Sequence, residues 1–150
     1  MPDMNQPADI EFRVARGILT LANRIIANRN EHLKEVGLTA EQADSLLFFS
    51  HNPESSTTHL KNFLRVRHQT ASGLVARLAA KDMIEVTASD VDARAKVIHL
   101  TDKGNRAIHF LHEHGTHTGS DLLKGMSADE QQKFVEFIRT AQENVSADEP

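Results

Sequence analysis

Residues 60–104 constrain this chain more than any other stretch, because they string a short helix, a tight turn, an amphipathic helix and a hairpin together without a break. They read LKNFLRV, then RHQTASGLVARLAAKD, then MIEVTASDVDARAKVIHLTDKG. In the middle piece Ala71, Leu74, Val75 and Leu78 recur at helical spacing and point inward. Gln69, Thr70, Ser72, Gly73, Ala76 and Arg77 are left on the opposite face. In the last piece two strands are expected, over 83–88 and 95–100. Their alternation is clearest in Lys96, Ile98 and Leu100 against Val97 and His99. Asp92 and Arg94 fall at the tip between them. A helix that can enter a major groove beside an arginine-tipped hairpin is an arrangement for reading duplex.

The flanks extend this pattern. Residues 1–8, with Pro2 and Pro7, read as a loose arm. From 9 to 34 the residues Ile10, Val14, Ile18, Leu21 and Ile25 recur, broadened by Leu19, Ala22 and Ile26, which predicts a long helix with a wide apolar face. Thr39 and Gln42 have capping-box spacing and open a second helix carrying Ala43, Leu46, Leu47 and Phe49. His51-Asn52-Pro53 ends it, since proline cannot donate to the helix. A third helix starts at Thr57 or Thr58, with Leu60, Phe63 and Leu64 facing inward, and turns at Arg65-Val66 into the fourth, from about 67 to 81. Thr101 caps a fifth running into the 110s. Ser127 and Glu130 open a last helix with Phe134, Phe137, Ile138, Ala141 and Val145 on one side.

The expected fold is therefore mainly α (α+β), a winged helix-turn-helix with long N- and C-terminal dimerisation helices. Residues 1–150 form a single domain, with 9–34 and 104–145 as the dimerisation helices and 38–103 as the DNA-binding lobe. The terminal helices present more apolar surface than a small winged helix can cover. A symmetric dimer is the simplest way to bury it, and its two-fold axis suits a palindromic site.

The formal net charge of −4 seems wrong for a duplex reader until it is divided along the chain. Residues 57–103 hold eight Lys and Arg against five Asp and Glu, a local +3, and the remainder carries −7. Positive charge is thus gathered where phosphates are expected, and an acidic body repels DNA from other faces. There are no cysteines, which excludes a disulfide framework, a cysteine zinc site and a thiol switch. With no Trp or Tyr, base stacking on single strands has few tools. No apolar run approaches a membrane span and no leader precedes the first helix, so a cytoplasmic location is expected.

The start of the second helix of a helix-turn-helix faces base edges. Here that start is Arg67, His68, Gln69, Thr70 and Ser72. Glutamine can bond adenine twice, arginine can do the same for guanine, and Thr or Ser offers a hydroxyl. Gly73 costs about 1 kcal/mol of helix stability relative to alanine but lets the DNA backbone come close. Arg77 and Lys81, further along, are placed to meet phosphates. Arg94 suits a narrow minor groove, with Asp92 aiming it through a charge-assisted hydrogen bond, and Lys96 adds a phosphate contact. The bland alternatives are a solvated helix face and a surface ion pair of little consequence.

Several strings in the chain are characteristic of one family: Leu38-Thr39…Gln42, Leu60…Leu64-Arg65-Val66, Thr70-Ala71-Ser72…Leu78, and Asp92-Ala93-Arg94-Ala95-Lys96…Leu100-Thr101-Asp102-Lys103-Gly104. The chain resembles the MarR family of bacterial winged-helix regulators over nearly its whole length. The last string is the most specific, an Asp-x-Arg tip followed by a short strand and Leu-Thr-x-x-Gly. The resemblance implies an obligate homodimer, binding to a palindromic promoter site, and a repressor relieved by a small ligand. Three positions depart from the pattern: Arg65 and Asp82 stand where glycine is usual, and Lys61 where a small residue is. Arg65 implies either a turn less dependent on positive φ or local strain. Gln69 and Gly73 are atypical too, which leaves the operator sequence open.

The effector leaves the weakest trace. Family members that bind aromatic acids do so between the dimer helices and the DNA-binding lobe. Arg16, Arg24, Arg29 and His32 are the polar residues available there, without a defined carboxylate-binding signature. No cofactor is expected. The tract with His109, His112, His114 and His117 offers two pairs of imidazoles, with Glu41 or Glu113 to complete a site, so a zinc-responsive regulator is the alternative reading. A pH-sensitive dimer interface is a further use of the same residues. An enzyme would need a nucleophile motif, paired acid and base or a phosphate-cradling loop, and none is present, so the expectation is not an enzyme. A winged helix that binds protein rather than DNA is the remaining rival.

Overall fold

The structure, a computed structural model, describes residues 7–92, 94–115 and 117–146. Most of the expected N-terminal arm therefore lies outside the described residues, and Pro7 already belongs to the first helix. Contacts divide the chain into two compact units, one ending at residue 116 and the other beginning at residue 117.

The first unit opens with α1 (Pro7–Leu33), whose apolar residues are mostly on the outside: Ile10, Phe12, Val14, Ile18, Leu19, Leu21 and Ile26 are all exposed. Only its C-terminal end reaches the core, through Leu33. A single 3-10 turn (Lys34–Val36) follows and closes on Gly37, which takes a left-handed φ of 70°. Helix α2 (Ala40–His51) then starts at the expected box, the Thr39 hydroxyl accepting from the Gln42 N–H while the Gln42 side chain accepts from the Thr39 N–H. Asn30 of α1 accepts the next free donor, the Ala40 N–H, at 2.7 Å. The N–H groups at a helix start lack intrahelical acceptors, and the side chains of Thr39, Gln42 and Asn30 supply three here.

Helix α3 (Thr57–Leu64) is capped by Ser56, with His59 in the place normally taken by Glu or Gln: its Nδ1 accepts the Ser56 N–H. Leu60 is fully buried and Leu64 half-buried. Phe63 corrects the expected inward set, being 58% exposed and stacked flat on Phe48 at 4.8 Å instead. Helix α4 (His68–Ala80) buries Ala71, Leu74, Val75 and Leu78, as its spacing requires. The turn between α3 and α4 keeps a left-handed backbone at Arg65 (φ 55°), and Asp82 just past α4 does the same (φ 59°). Of the two options for Arg65, the strained one is observed.

Strands β1 (Ile84–Ala88) and β2 (Lys96–Leu100) pair antiparallel with Ile84 opposite Leu100 and Ala88 opposite Lys96. The Ile98 N–H also donates to the Ser55 carbonyl at 2.9 Å, so the hairpin is fastened to the segment before α3. Helix α5 (Asp102–His114) begins at Thr101, whose hydroxyl accepts from the Gly104 N–H and donates to the Asp82 carbonyl at 2.5 Å. Gly104 explains the glycine of the Leu-Thr-x-x-Gly string. A Cβ there would lie 2.1 Å from the Met83 carbonyl oxygen, far inside contact distance. The core gathers Leu33, Leu38, Leu46, Phe49, Leu60, Leu74, Leu78, Met83, Ile84, Ile98 and Ile108.

The second unit holds a short helix α6 (Thr118–Leu122), which no spacing announced, and α7 (Ala128–Asn144). Ser127 caps α7 by accepting from the Glu130 N–H. Phe134 is half-buried, while Phe137, Ile138, Ala141 and Val145 on the expected face are exposed.

Candidate nucleic-acid interface

The first turn of α4 is presented to solvent. Arg67 stands at its N-cap in extended conformation, and its side chain makes no capping bond. That sets it apart from Thr39, Ser56, Thr101 and Ser127, which cap their helices with side-chain oxygens. His68, Gln69, Thr70, Ser72 and Arg77 are all exposed, as a helix with four buried positions on its other face dictates. Gly73 is partly covered, and a Cβ there would meet only Arg77 Nη1, at 3.6 Å.

Asp92, Arg94 and Lys96 are exposed at and beside the hairpin tip, while Ala93 between them lies outside the described residues. The bond expected between Asp92 and the Arg94 guanidinium takes another form. Asp92 Oδ1 accepts from the Arg94 backbone N–H at 3.0 Å. Ser89 acts alike, accepting from the Val91 N–H, and its own N–H donates to the Ala95 carbonyl. The carboxylate thus shapes the loop and leaves the guanidinium free to reach outward.

Lys81 corrects the expectation of a phosphate contact. Its ammonium turns inward and donates to the Gly37 carbonyl and, at 2.6 Å, to Gln42 Oε1. Neither this link nor the Ser56–His59 cap was legible. The first joins residues 39 positions apart, and the second uses histidine where the usual box has Glu or Gln.

The residues considered for an effector are used in different ways. Arg29 holds Asp44 through two bonds, at 2.5 and 3.1 Å, and the bond to that carboxylate raises the arginine pKa. Arg16 and Arg24 are exposed. His32 lies 6.0 Å from the Phe110 ring and its Nε2 is buried without a partner. In the histidine tract, His109 pairs with Glu113 at 3.1 Å, His114 stacks on Phe110, and His112 lies 6.3 Å from His51. Among the described residues no three His, Cys, Asp or Glu side chains gather where a metal ion could sit, so the zinc reading finds no centre there. Thr116 of the tract lies outside the described residues. Among them, too, no helix is long and apolar enough to cross a membrane.

A capped helix pair, an exposed second-helix start and an arginine-tipped hairpin define a winged helix-turn-helix protein. The profile of the MarR family matches residues 36–95, from the end of α1's turn through the hairpin tip. An uncharacterised HTH-type transcriptional regulator, YybA of Bacillus subtilis strain 168, is 22% identical over 135 residues, covering 90% of each chain. Among solved structures, the transcriptional regulator SlyA superposes with a TM-score of 0.80 at 23% identity, over 89% of this chain and 94% of that one. The MepR–DNA complex of S. aureus gives 0.83 at 17%, over 91% and 99%. A mutant MarR from E. coli complexed with operator DNA gives 0.79 at 21%, also over 91% and 99%. Residues 36–95 thus match the MarR family, and the superposed chains share the winged helix-turn-helix fold.

Proposed function

We propose that this protein is a sequence-specific regulator that binds double-stranded DNA as a homodimer, represses from a palindromic operator and is released by a small-molecule effector. The observation that carries the reading is the joint exposure of Arg67, His68, Gln69, Thr70 and Ser72 on one helix and Arg94 and Lys96 on the hairpin. In this reading the α4 residues meet base edges, Arg77 meets a phosphate, and Arg94 enters the minor groove. Similarity to MepR and MarR, both solved on DNA, supports the same partner.

The exposed apolar faces of α1 and of α7, each considered alone, support the dimer, because contiguous apolar surface of this kind marks an interaction site. Residues 38–103 then act as the reading lobe, and 9–34 and 104–145 as the dimerisation helices. The effector is a small molecule, with aromatic acids, which some family members bind, as the class to screen first.

The test is fluorescence anisotropy on duplex from the region upstream of the protein's own gene, against a scrambled duplex, over a salt series. Preferential, steeply salt-dependent binding is expected. Equal, weak binding to both at every salt concentration would overturn the reading.

A further inference from the structure

The C-terminal end of the recognition helix is held by one side chain that reaches out of the helix into another element. Lys81, at the C-cap of α4, donates to the Gly37 carbonyl and to Gln42 Oε1. The Gln42 oxygen simultaneously accepts from the Thr39 N–H at 3.2 Å, and Gln42 is only 5% exposed. The acceptor is therefore fixed by the capping box that starts α2, and α2 is tied in turn to α1 by the Asn30–Ala40 bond. One residue further on, the Asp82 carbonyl is gripped by Thr101 at the base of the hairpin.

We infer that Lys81 is a positioning residue for DNA recognition: it pins the far end of α4 to the start of α2 and thereby sets the angle at which the first turn meets the bases. The inference rests on the DNA-binding reading above. Helix α4 has 13 residues and is about 20 Å long at 1.5 Å per residue. A tilt of about 5° at the pinned end would move Gln69 and its neighbours by roughly 2 Å, which is enough to misplace a bidentate base contact. Lys96 on the hairpin is instead exposed and remains available to phosphate. Lys81 is distinguished further by its environment. Its acceptors are neutral, and partial burial, with Arg77 and Lys103 nearby, lowers its pKa from the ordinary lysine value.

Two substitutions separate positioning from charge. Lys81→Met keeps the stem and removes the ammonium. Lys81→Arg keeps the charge but replaces the compact ammonium with a planar fork. The probe is a duplex enriched from a randomised pool by the wild-type protein, beside an unrelated duplex, with thermal melting as a control. The expected result is about a ten-fold loss of affinity for the enriched duplex in both variants, unchanged affinity for the unrelated one, and an unchanged salt slope. A Lys81→Met slope reduced by about one ion, with both duplexes weakened equally and Lys81→Arg close to wild type, would make Lys81 a phosphate contact and overturn the inference. Unchanged affinity for the enriched duplex in both variants would overturn it as well. If the wild-type protein enriches no sequence from the pool, the DNA-binding reading itself fails.

Discussion

Asp92 Oδ1 accepts a hydrogen bond from the backbone N–H of Arg94 at 3.0 Å, so a carboxylate at the hairpin tip is spent on the loop and not on the guanidinium two residues away. Its effect on DNA binding is then opposite to what its charge alone suggests. Asp92→Ala removes a negative charge from a surface proposed to meet phosphates, yet it is expected to weaken binding several-fold by loosening the tip. Arg94→Ala should weaken binding to every duplex and reduce the salt slope by about one. Anisotropy titrations of both variants over a salt series check this. Tighter binding by Asp92→Ala would show that simple charge repulsion dominates.

Gly73 separates stability from recognition. A methyl there meets only Arg77 Nη1, at an ordinary 3.6 Å, so nothing within the lobe resists it. Gly73→Ala should stabilise the fold by about 0.5–1 kcal/mol, from helix propensity alone. If the DNA backbone approaches α4 at this residue, the same change should lower duplex affinity. Denaturant melts paired with binding curves read both quantities, and a gain in each would remove the close-approach role.

Arg65 holds φ 55° and ψ 46°, a left-handed conformation that costs a side-chain-bearing residue about 1 kcal/mol or more. Arg65→Gly is expected to raise stability by about 0.5–1 kcal/mol, because relief of that strain outweighs the added freedom of glycine in the unfolded chain. In a domain of this size such a gain shifts the melting midpoint upward by a few degrees, on the order of 2–4 °C per kcal/mol. A lowered midpoint would mean that the arginine side chain makes contacts worth more than the strain.

Among the described glycines Gly104 has the least room for a side chain. Alanine would place its Cβ 2.1 Å from a backbone oxygen, which cannot rotate away as the end of a side chain can. Gly104→Ala should destabilise by several kcal/mol, roughly the upper range for a substitution that overpacks a core. Thr101→Ala, which removes a helix cap and the bond to the Asp82 carbonyl, should cost about 1–2 kcal/mol. Chemical denaturation of the two variants gives the order directly, and a milder effect at Gly104 than at Thr101 would contradict it.

The exposed face of α1 gives a prediction about association. Ile18→Glu places a charge on a face that also carries Val14 and Leu21, each exposed in the single chain. If that face is buried in the proposed dimer, the substitution should shift sedimentation velocity from dimer toward monomer at micromolar concentration and weaken operator binding with it. An unchanged sedimentation coefficient would remove α1 from the interface.

The elements of the lobe were legible because their signals are local. The inward set of α4, the Thr39–Gln42 box, the Thr101 cap and the alternation of β2 all lie within a few residues of one another in sequence. Three features were not legible, each for a physical reason. Phe63 has the spacing of a core residue, but it packs on Phe48 at the surface, because a flat aromatic contact satisfies half of a ring without enclosing it. Helix α6 is a single turn with Gly119 inside it and no periodicity to detect. Lys81 reads as a surface cation, since its partners are set by the fold and lie near residue 40. The exposure of the α4 residues proposed to meet DNA follows from the burial of the opposite face, whereas the atoms each would touch follow from nothing in a single chain.

The contact between Gly104 and Met83 has one more consequence. Hydrogen against carbonyl oxygen leaves no compressible side chain between the two backbones, so the joint has no play. Close-packed interiors transmit displacement when such slack is missing. Helix α5 runs about 20 Å from this joint to His114, and Met83 lies one residue before the hairpin begins. The root of the hairpin and the start of α5 are thus held at backbone distance, with no side chain between them to loosen the joint.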